Sequence, residues 1–181
     1  MIFTETTLKG SYLVGLEPVA DERGWFVRTW CKNEFAEIGL SAQWVQLNHS
    51  YTSQTGTLRG MHYQLPPFSE IKLVRCIAGA VYDVIIDLRK DSPTFLQWFG
   101  TTLSAANKNM IYIPGGFAHG FQALHDDCEL IYHHAQFYTP GVEGGIKYDE
   151  PKVNIEWPLP VAAISDRDKA HPFLNDNFKG I

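Results

Sequence analysis

Leu58-Arg59-Gly60-Met61-His62-Tyr63-Gln64, followed shortly by Lys72-Leu73-Val74-Arg75, predicts two β-strands of a barrel wall joined by a polar, proline-bearing turn. Because side chains alternate along a strand, His62 lies on the same face as Gly60 and on the opposite face from Arg59. Gly60 adds no bulk to that face, so a ligand has room beside the histidine.

A histidine and a lysine aimed into one barrel mouth indicate a ligand site. Lys72 opens the second strand on its inward face, and a buried charge is costly unless a polar group lies beside it. Arg59 nearby favours an anionic ligand, although strict alternation requires it to reach round the end of its strand. The alternative interpretation is a satisfied core histidine at position 62 and a lysine that extends to solvent.

The composition is typical of one globular domain covering residues 1–181. Hydrophobic residues make up 45% of the chain and charged residues 19%. The net charge of -5 argues against nucleic acid or an acidic membrane as a partner, so a phosphate needs a local cluster of arginine or lysine. The start of the chain lacks the pattern of a signal peptide. Three scattered cysteines without CxxC spacing favour reduced thiols in a cytoplasm.

Turn signals recur about every ten residues between aromatic and β-branched runs, which predicts an all-β sandwich or barrel with few short helices. A helix is predicted over 32–38 and a capped helical turn at 165–168. Strands are predicted over 11–19, 25–30, 44–53, 57–64, 71–78, 80–88, 98–103, 109–113, 117–123 and 129–138. We expect the last two to form a hairpin and the chain after Pro140 to be irregular.

Several local patterns together resemble the deoxythymidine-diphosphate 4-keto-6-deoxyglucose 3,5-epimerases of rhamnose biosynthesis. Besides the two stretches quoted first, they are Asp21-Glu22-Arg23-Gly24-Trp25-Phe26, Asp87-Leu88-Arg89, Ser92-Pro93-Thr94-Phe95, Pro114-Gly115-Gly116-Phe117-Ala118-His119-Gly120-Phe121, Tyr148-Asp149-Glu150-Pro151, Ile155-Glu156-Trp157-Pro158, and Ser165 with Asp168. They occur in family order over nearly the whole chain. The resemblance implies a double-stranded β-helix, or cupin, that inverts C3 and C5 of a nucleotide-linked 4-keto-6-deoxy sugar.

The resemblance also implies a catalytic set. His62 is the base, Asp168 its partner, Lys72 the stabiliser of the enolate oxygen, and Tyr132 the acid on the opposite face, while His119 orients substrate or assists the base. Without the resemblance, Asp168 is better explained by the capping turn that Ser165 begins, and Tyr132 by a core aromatic.

The nucleotide is held by a second implied set. Arg23 and Arg59 match the diphosphate-binding positions, and Phe26 and Tyr138 match the rings that sandwich the base. The resemblance implies a homodimer in which an exchanged N-terminal strand brings Arg23 and Phe26 to the neighbouring site. Two further residues fit polar contacts to the sugar or nucleoside: Gln46 and Asn48.

Other members of the fold class are metal enzymes that use a His-x-His pair. Here Gln64 stands two residues after His62 and is a poor ligand for first-row metals, so we expect neither a metal nor a cofactor. His133 and His134 are adjacent and face opposite ways, which excludes a two-residue metal clamp. A carbohydrate-binding cupin without activity and a C3-only epimerase remain as alternatives.

The chain departs from the family pattern close to the implied binding positions. The departures are Arg28, Glu70, Ile71 and residues 133–137. They leave the implied catalytic set intact, but the sequence leaves open which base and which sugar are bound.

Overall fold

A computed structural model describes residues 1–41 and 43–181 of the chain. It contains fourteen strands and two short helices over these residues. The elements are β1 Ile2–Glu5, β2 Tyr12–Gly15, β3 Val19–Asp21, β4 Gly24–Phe26, α1 Lys32–Glu37, β5 Gln46–Thr52, β6 Thr57–Gln64, β7 Lys72–Ala78, β8 Ala80–Asp87, β9 Trp98–Ser104, β10 Met110–Ile113, β11 Phe117–Ala123, β12 Cys128–His134, β13 Glu143–Gly145, β14 Ala163–Ile164 and α2 Asp166–Lys169.

Two sheets form the body of the domain. The first has the order β1-β2-β10-β7-β12-β5, and the second has the order β13-β6-β11-β8-β9, with β14 added in parallel beside β6. Apart from β14, the paired strands are antiparallel. Antiparallel sheets commonly pack one face against a core, and here the two sheets face each other across it. The predicted all-β barrel with few helices is confirmed.

The core lies between the two sheets because both contribute apolar side chains from alternating positions. Its buried members are Leu8, Val74, Cys76, Val81, Ile85, Leu103, Ile111, Ile113, Phe117, Phe121, Ala123, Cys128 and Leu130. The other face of β8 and β11 is covered by the C-terminal segment, including Trp157 and Phe178. Strand β11 is therefore buried along its whole length, and so is β10, whose outer face packs against Phe35 of α1.

Two pairing expectations were wrong. The quoted strands β6 and β7 do not pair with each other, because β6 belongs to the second sheet and β7 to the first. Likewise β11 pairs with β6 and β8, whereas β12 pairs with β5 and β7, so these consecutive strands cross between sheets and form no hairpin. The consequence for the site is that His62 and Lys72 approach one space from opposite walls.

Several element bounds also differ from the prediction. The strand predicted over 25–30 ends at Phe26, and β1, β13 and β14 were not predicted. Helix α1 and the capped turn at α2 are present as predicted. Within the described ranges, the helices are all too short or too polar to span a bilayer.

A buried carboxylate closes the loop after β8. Asp87 accepts hydrogen bonds from the backbone and guanidinium of Arg89 and from the hydroxyls of Ser92 and Thr94. Burial acts to raise the pKa of Asp87, but these hydrogen bonds outweigh it and lower the pKa. The carboxylate therefore stabilises the fold in its charged form.

We predict that Asp87→Asn lowers the free energy of unfolding by about 3 kcal/mol at neutral pH, because it breaks a buried pair. Since the folded pKa lies below the unfolded value, the contribution is present above about pH 4 and is lost as the pH falls through the folded pKa. Urea titrations at several pH values measure it, with exposed Asp149→Asn as control. Equal stability of Asp87→Asn and wild type at neutral pH would contradict the prediction.

Candidate active site

A cavity of about 570 Å³ opens between the sheets at one end of the barrel. Both walls and the C-terminal segment line it. Its lining includes Asn48, Ser50, Lys72, Tyr132 and His134 from the first sheet, Arg59, His62 and His119 from the second, and Arg167 and Asp168 from α2. The structure therefore brings together most of the residues that the sequence analysis singled out.

A β-bulge in β6 brings Arg59 and His62 to the same cavity. On β11, His119 and Phe121 are two residues apart, but their partners on β6, His62 and Arg59, are three apart. The extra residue turns Arg59 onto the face that carries His62. The expectation that Arg59 starts on the opposite face was therefore wrong.

Gly60 serves backbone packing and not ligand access, contrary to our expectation. It adopts a φ of +127°, and a Cβ here would lie 2.6 Å from Gly120 Cα on β11. Such a contact and such a φ exclude other residues. The absence of a side chain lets β6 and β11 approach closely under His62.

The histidine is held by a carboxylate from the far end of the chain. His62 Nε2 lies 2.8 Å from Asp168 Oδ1, and the Gly60 N–H donates to Asp168 Oδ2 at 3.0 Å. Burial acts to raise the pKa of Asp168, but the hydrogen bonds from His62 and Gly60 outweigh it and lower the pKa to about 2. Because the carboxylate can only accept, Nε2 carries the proton and Nδ1 keeps its lone pair.

Asp168 belongs both to the capping turn and to the site. Ser165 caps α2 by accepting a hydrogen bond from the Asp168 N–H at 3.1 Å, and β14 ties this segment to the start of β6. The backbone of Asp168 thus belongs to the turn while its side chain is buried against His62.

His171 is a further neighbour of this pair that the sequence analysis missed. Its ring meets the His62 ring edge-on at 5.5 Å, and its Nε2 lies 3.6 Å from Asp168 Oδ1. Burial lowers the pKa of His171, which favours the neutral ring. In the part of the chain that the structure describes, this trio is the one group of histidine and carboxylate ligands that could converge on a metal ion.

The first sheet supplies the facing groups. The hydroxyls of Tyr132 and Ser50 share a hydrogen bond of 3.0 Å, and burial raises the pKa of the Tyr132 phenol, which therefore stays protonated. His119, on the second sheet, lies edge-on to the Tyr132 ring at 6.2 Å and is oriented by Asp83 at 2.9 Å. A carboxylate-bound imidazole on one wall thus faces a protonated phenol on the other.

Lys72 is buried at the start of β7 and pairs with Glu70 at 2.9 Å. Gln64 lines a small recess beside the main cavity, and its amide donates to the carbonyls of Phe68 and Phe137 and accepts from the Thr139 N–H. It is therefore engaged in holding the loop after β12.

The predicted nucleotide-binding residues divide into two groups. Arg59 lines the main cavity and is held by Thr52 and the Tyr51 carbonyl. The others in the first group line an adjoining recess of about 130 Å³: Gln46, Asn48 and Tyr138. Tyr138 donates to Glu143, which also accepts from Arg167 at 2.7 Å. Arg167 lines both the main cavity and this recess. No pattern in the sequence predicted it as a site residue.

The second group lies away from the cavity of its own chain. Arg23 and Phe26 belong to the β3–β4 hairpin, whose two strands pair only with each other among the described elements. The side chain of Arg23 is 82% exposed and Phe26 is 77% exposed. An arginine and an aromatic ring are thus presented outward on a projecting hairpin.

The chain resembles known proteins over most of its length. A family profile described as dTDP-4-dehydrorhamnose 3,5-epimerase covers residues 5–176. An enzyme of that name from Shigella flexneri is 47% identical over 82% of this chain and 82% of its own length. A dTDP-4-dehydrorhamnose 3-epimerase from Streptomyces niveus is 36% identical over 90% of this chain and 78% of its own.

Solved structures agree with the profile. The structure of dTDP-6-deoxy-D-glucose-3,5-epimerase from Legionella pneumophila in complex with dTDP-4-keto-L-rhamnose superposes with a TM-score of 0.90 at 37% identity, and the match covers 95% of this chain and 92% of that one. The likeness thus extends from the motifs to the whole fold. The chain belongs to the dTDP-4-dehydrorhamnose 3,5-epimerase family.

Proposed function

We propose that the protein inverts C3 and C5 of a nucleotide-linked 4-keto-6-deoxy sugar, converting dTDP-4-dehydro-6-deoxyglucose to dTDP-4-dehydrorhamnose. The observation that carries the proposal is the placement of a carboxylate-held histidine and a protonated tyrosine on opposite walls of one cavity. Inversion of a carbon requires a base on one face and an acid on the other, and the cavity offers that pair.

The hydrogens on C3 and C5 flank the C4 carbonyl and are therefore acidic. His62 Nδ1 takes one of them, and the C–H electrons move onto the C4 oxygen to give an enolate. The Lys72 ammonium stabilises that oxyanion. Tyr132 then protonates the same carbon from the opposite face, and both residues regain their protonation states from solvent. Asp168 stabilises the imidazolium while it exists.

The nucleotide end uses the remaining residues. Arg59 supports a diphosphate site at the edge of the cavity, and Tyr138 lies beside Gln46 in the adjoining recess, where the base can stack. We assign to Asn48 a polar contact with the sugar or nucleoside. His119 orients substrate from its bond with Asp83.

The test of the proposed function is direct. The protein is incubated with dTDP-4-dehydro-6-deoxyglucose in D₂O, and deuterium is located by NMR. We expect label and inversion at both C3 and C5. The relative from Streptomyces niveus is named a 3-epimerase, so label confined to C3 would assign this second activity. No label at either carbon would overturn the proposal and favour a carbohydrate-binding protein.

We also propose a cytoplasmic location. Cys31, Cys76 and Cys128 are free thiols, and two of them are buried. Unpaired cysteines fit a reducing compartment.

The division of labour between the two walls gives a first prediction. His62→Ala should abolish deuterium exchange, because no enolate forms. Tyr132→Phe should retain exchange with unchanged configuration while net inversion falls by about 10²-fold or more, since exchange needs one face and inversion needs two. Tyr12→Phe, in β2, is the matched control. Inversion by Tyr132→Phe at the wild-type rate would remove Tyr132 from its role.

A second prediction concerns assembly. We propose a homodimer in which the β3–β4 hairpin delivers Arg23 and Phe26 to the neighbouring cavity; their exposure on a projecting hairpin supports this. Arg23→Ala and His62→Ala chains, each inactive alone, should regain activity when refolded together, because one site of each mixed dimer has both residues. Mixing His62→Ala with Tyr132→Phe is the control, since these residues come from one subunit. A fully active monomer in sedimentation would contradict the proposal.

A third prediction concerns metals. His62 Nε2 and Asp168 Oδ1 are 2.8 Å apart, whereas two ligands of a tetrahedral zinc ion with bonds of about 2.0 Å lie roughly 3.3 Å apart. The distance between His62 Nε2 and Asp168 Oδ1 therefore fits a hydrogen bond between them and not two ligands of one zinc ion. The amide of Gln64 already donates to backbone carbonyls. Treatment with EDTA should leave the exchange rate unchanged. Loss of exchange that a divalent ion restores would show that the His62, Asp168 and His171 trio holds a metal.

A further inference from the structure

A second charged cluster lies beside the catalytic cavity. Glu70 Oε1 is 2.9 Å from Lys72 Nζ, and Glu70 Oε2 is 2.7 Å from His134 Nδ1. The three side chains are 9% exposed at Lys72, 12% at Glu70 and 14% at His134. A charged pair so well buried is costly unless each member is partnered, so this contact fixes all three side chains.

The two carboxylate oxygens of Glu70 bind different partners. Burial acts to raise the pKa of Glu70, but the bonds from His134 and Lys72 outweigh it and lower the pKa to about 2, so the carboxylate stays charged. His134 occupies one oxygen and leaves the other to Lys72. An ammonium has three donors, and with one bound to Glu70, two remain for an oxygen in the cavity that Lys72 lines.

His134 connects this cluster to the acid. It is the cross-strand neighbour of Lys72, and it follows Tyr132 by two residues on β12, so both side chains face the cavity. The rings of His134 and Tyr132 stack at 6.1 Å with an angle of 28°. His133 faces the other way and packs on Trp44.

We infer that Glu70 and His134 are positioning residues for enolate formation: His134 anchors the Glu70 carboxylate, and Glu70 holds the Lys72 ammonium where the C4 oxygen becomes negative. Neither residue touches the reacting carbon, so both act through Lys72. The inference rests on the proposed function and adds two residues to it. Both stand where the chain departs from the family pattern.

Glu70→Gln tests the carboxylate. It keeps an acceptor oxygen but removes the charge, so we expect kcat and the rate of deuterium exchange to fall together by about tenfold or more, because a misplaced oxyanion donor slows enolate formation itself. Binding of dTDP, which has no keto sugar, should change less than about threefold by calorimetry. This parallel loss differs from Tyr132→Phe, for which exchange persists.

His134 is tested by two substitutions. His134→Phe keeps a ring over Tyr132 but loses the donor to Glu70, so kcat should fall as in Glu70→Gln. His134→Asn places an amide N–H near the position of Nδ1 and should recover most of the rate. His133→Phe is the matched control on the opposite face and should behave as wild type.

The outcomes separate the two proposals. Wild-type rates in both Glu70→Gln and His134→Phe would overturn the inference and leave the proposed function standing, as would a loss of dTDP binding with unchanged turnover. If Glu70→Gln does not fold, as judged by its melting curve, the His134 pair decides. A wild-type protein that neither exchanges nor inverts would remove the proposed function, and the inference with it.

Discussion

The hydrogen bond between His62 Nε2 and Asp168 Oδ1 is the contact on which the site depends. It joins residues 106 positions apart and fastens the C-terminal segment to β6. The other oxygen of Asp168 binds the Gly60 N–H, so one carboxylate holds both the strand backbone and the imidazole. With Nε2 engaged, the remaining nitrogen of His62 is the one that can accept a proton from substrate.

The two sheets of the barrel place side chains on opposite walls of one cavity. The two facing sheets enclose a cavity of about 570 Å³, which leaves room for a sugar ring between groups on opposite walls. His62 belongs to the second sheet, and Tyr132 and Lys72 belong to the first. Because sequence neighbours β6 and β7 cross between sheets, His62 and Lys72 are close in the chain yet approach the cavity from different sides.

Local pattern predicted the strands better than their partners. The bounds of β6 and β11 match the expected 57–64 and 117–123, because periodicity and turn residues are local signals. Pairing depends on contacts distant in sequence, so the expected hairpin of β11 with β12 was wrong. Gly60 is a local signal for the bulge that brings Arg59 beside His62, but the shift itself is defined by the register against β11.

The site residues that match family positions were predicted from the sequence. His62, Lys72, Tyr132, His119 and Asp168 line one cavity, as the family resemblance implied. Asp168 and Tyr132 were ambiguous from the residues themselves, because a capping turn accounts for the first and core packing for the second. Glu70, His134 and His171 were missed as neighbours of Lys72, Tyr132 and His62, since their contacts follow from cross-strand pairing and from the fold of the C-terminal segment.

The protonation of His62 tests this account most directly. Long-range ¹H–¹⁵N NMR in alkaline buffer, with His62→Gln to assign the signals, reports which ring nitrogen carries hydrogen. We expect a protonated Nε2, facing Asp168, and a proton-free Nδ1. A protonated Nδ1 with a proton-free Nε2 would contradict it, because Asp168 would then leave no basic nitrogen for the substrate.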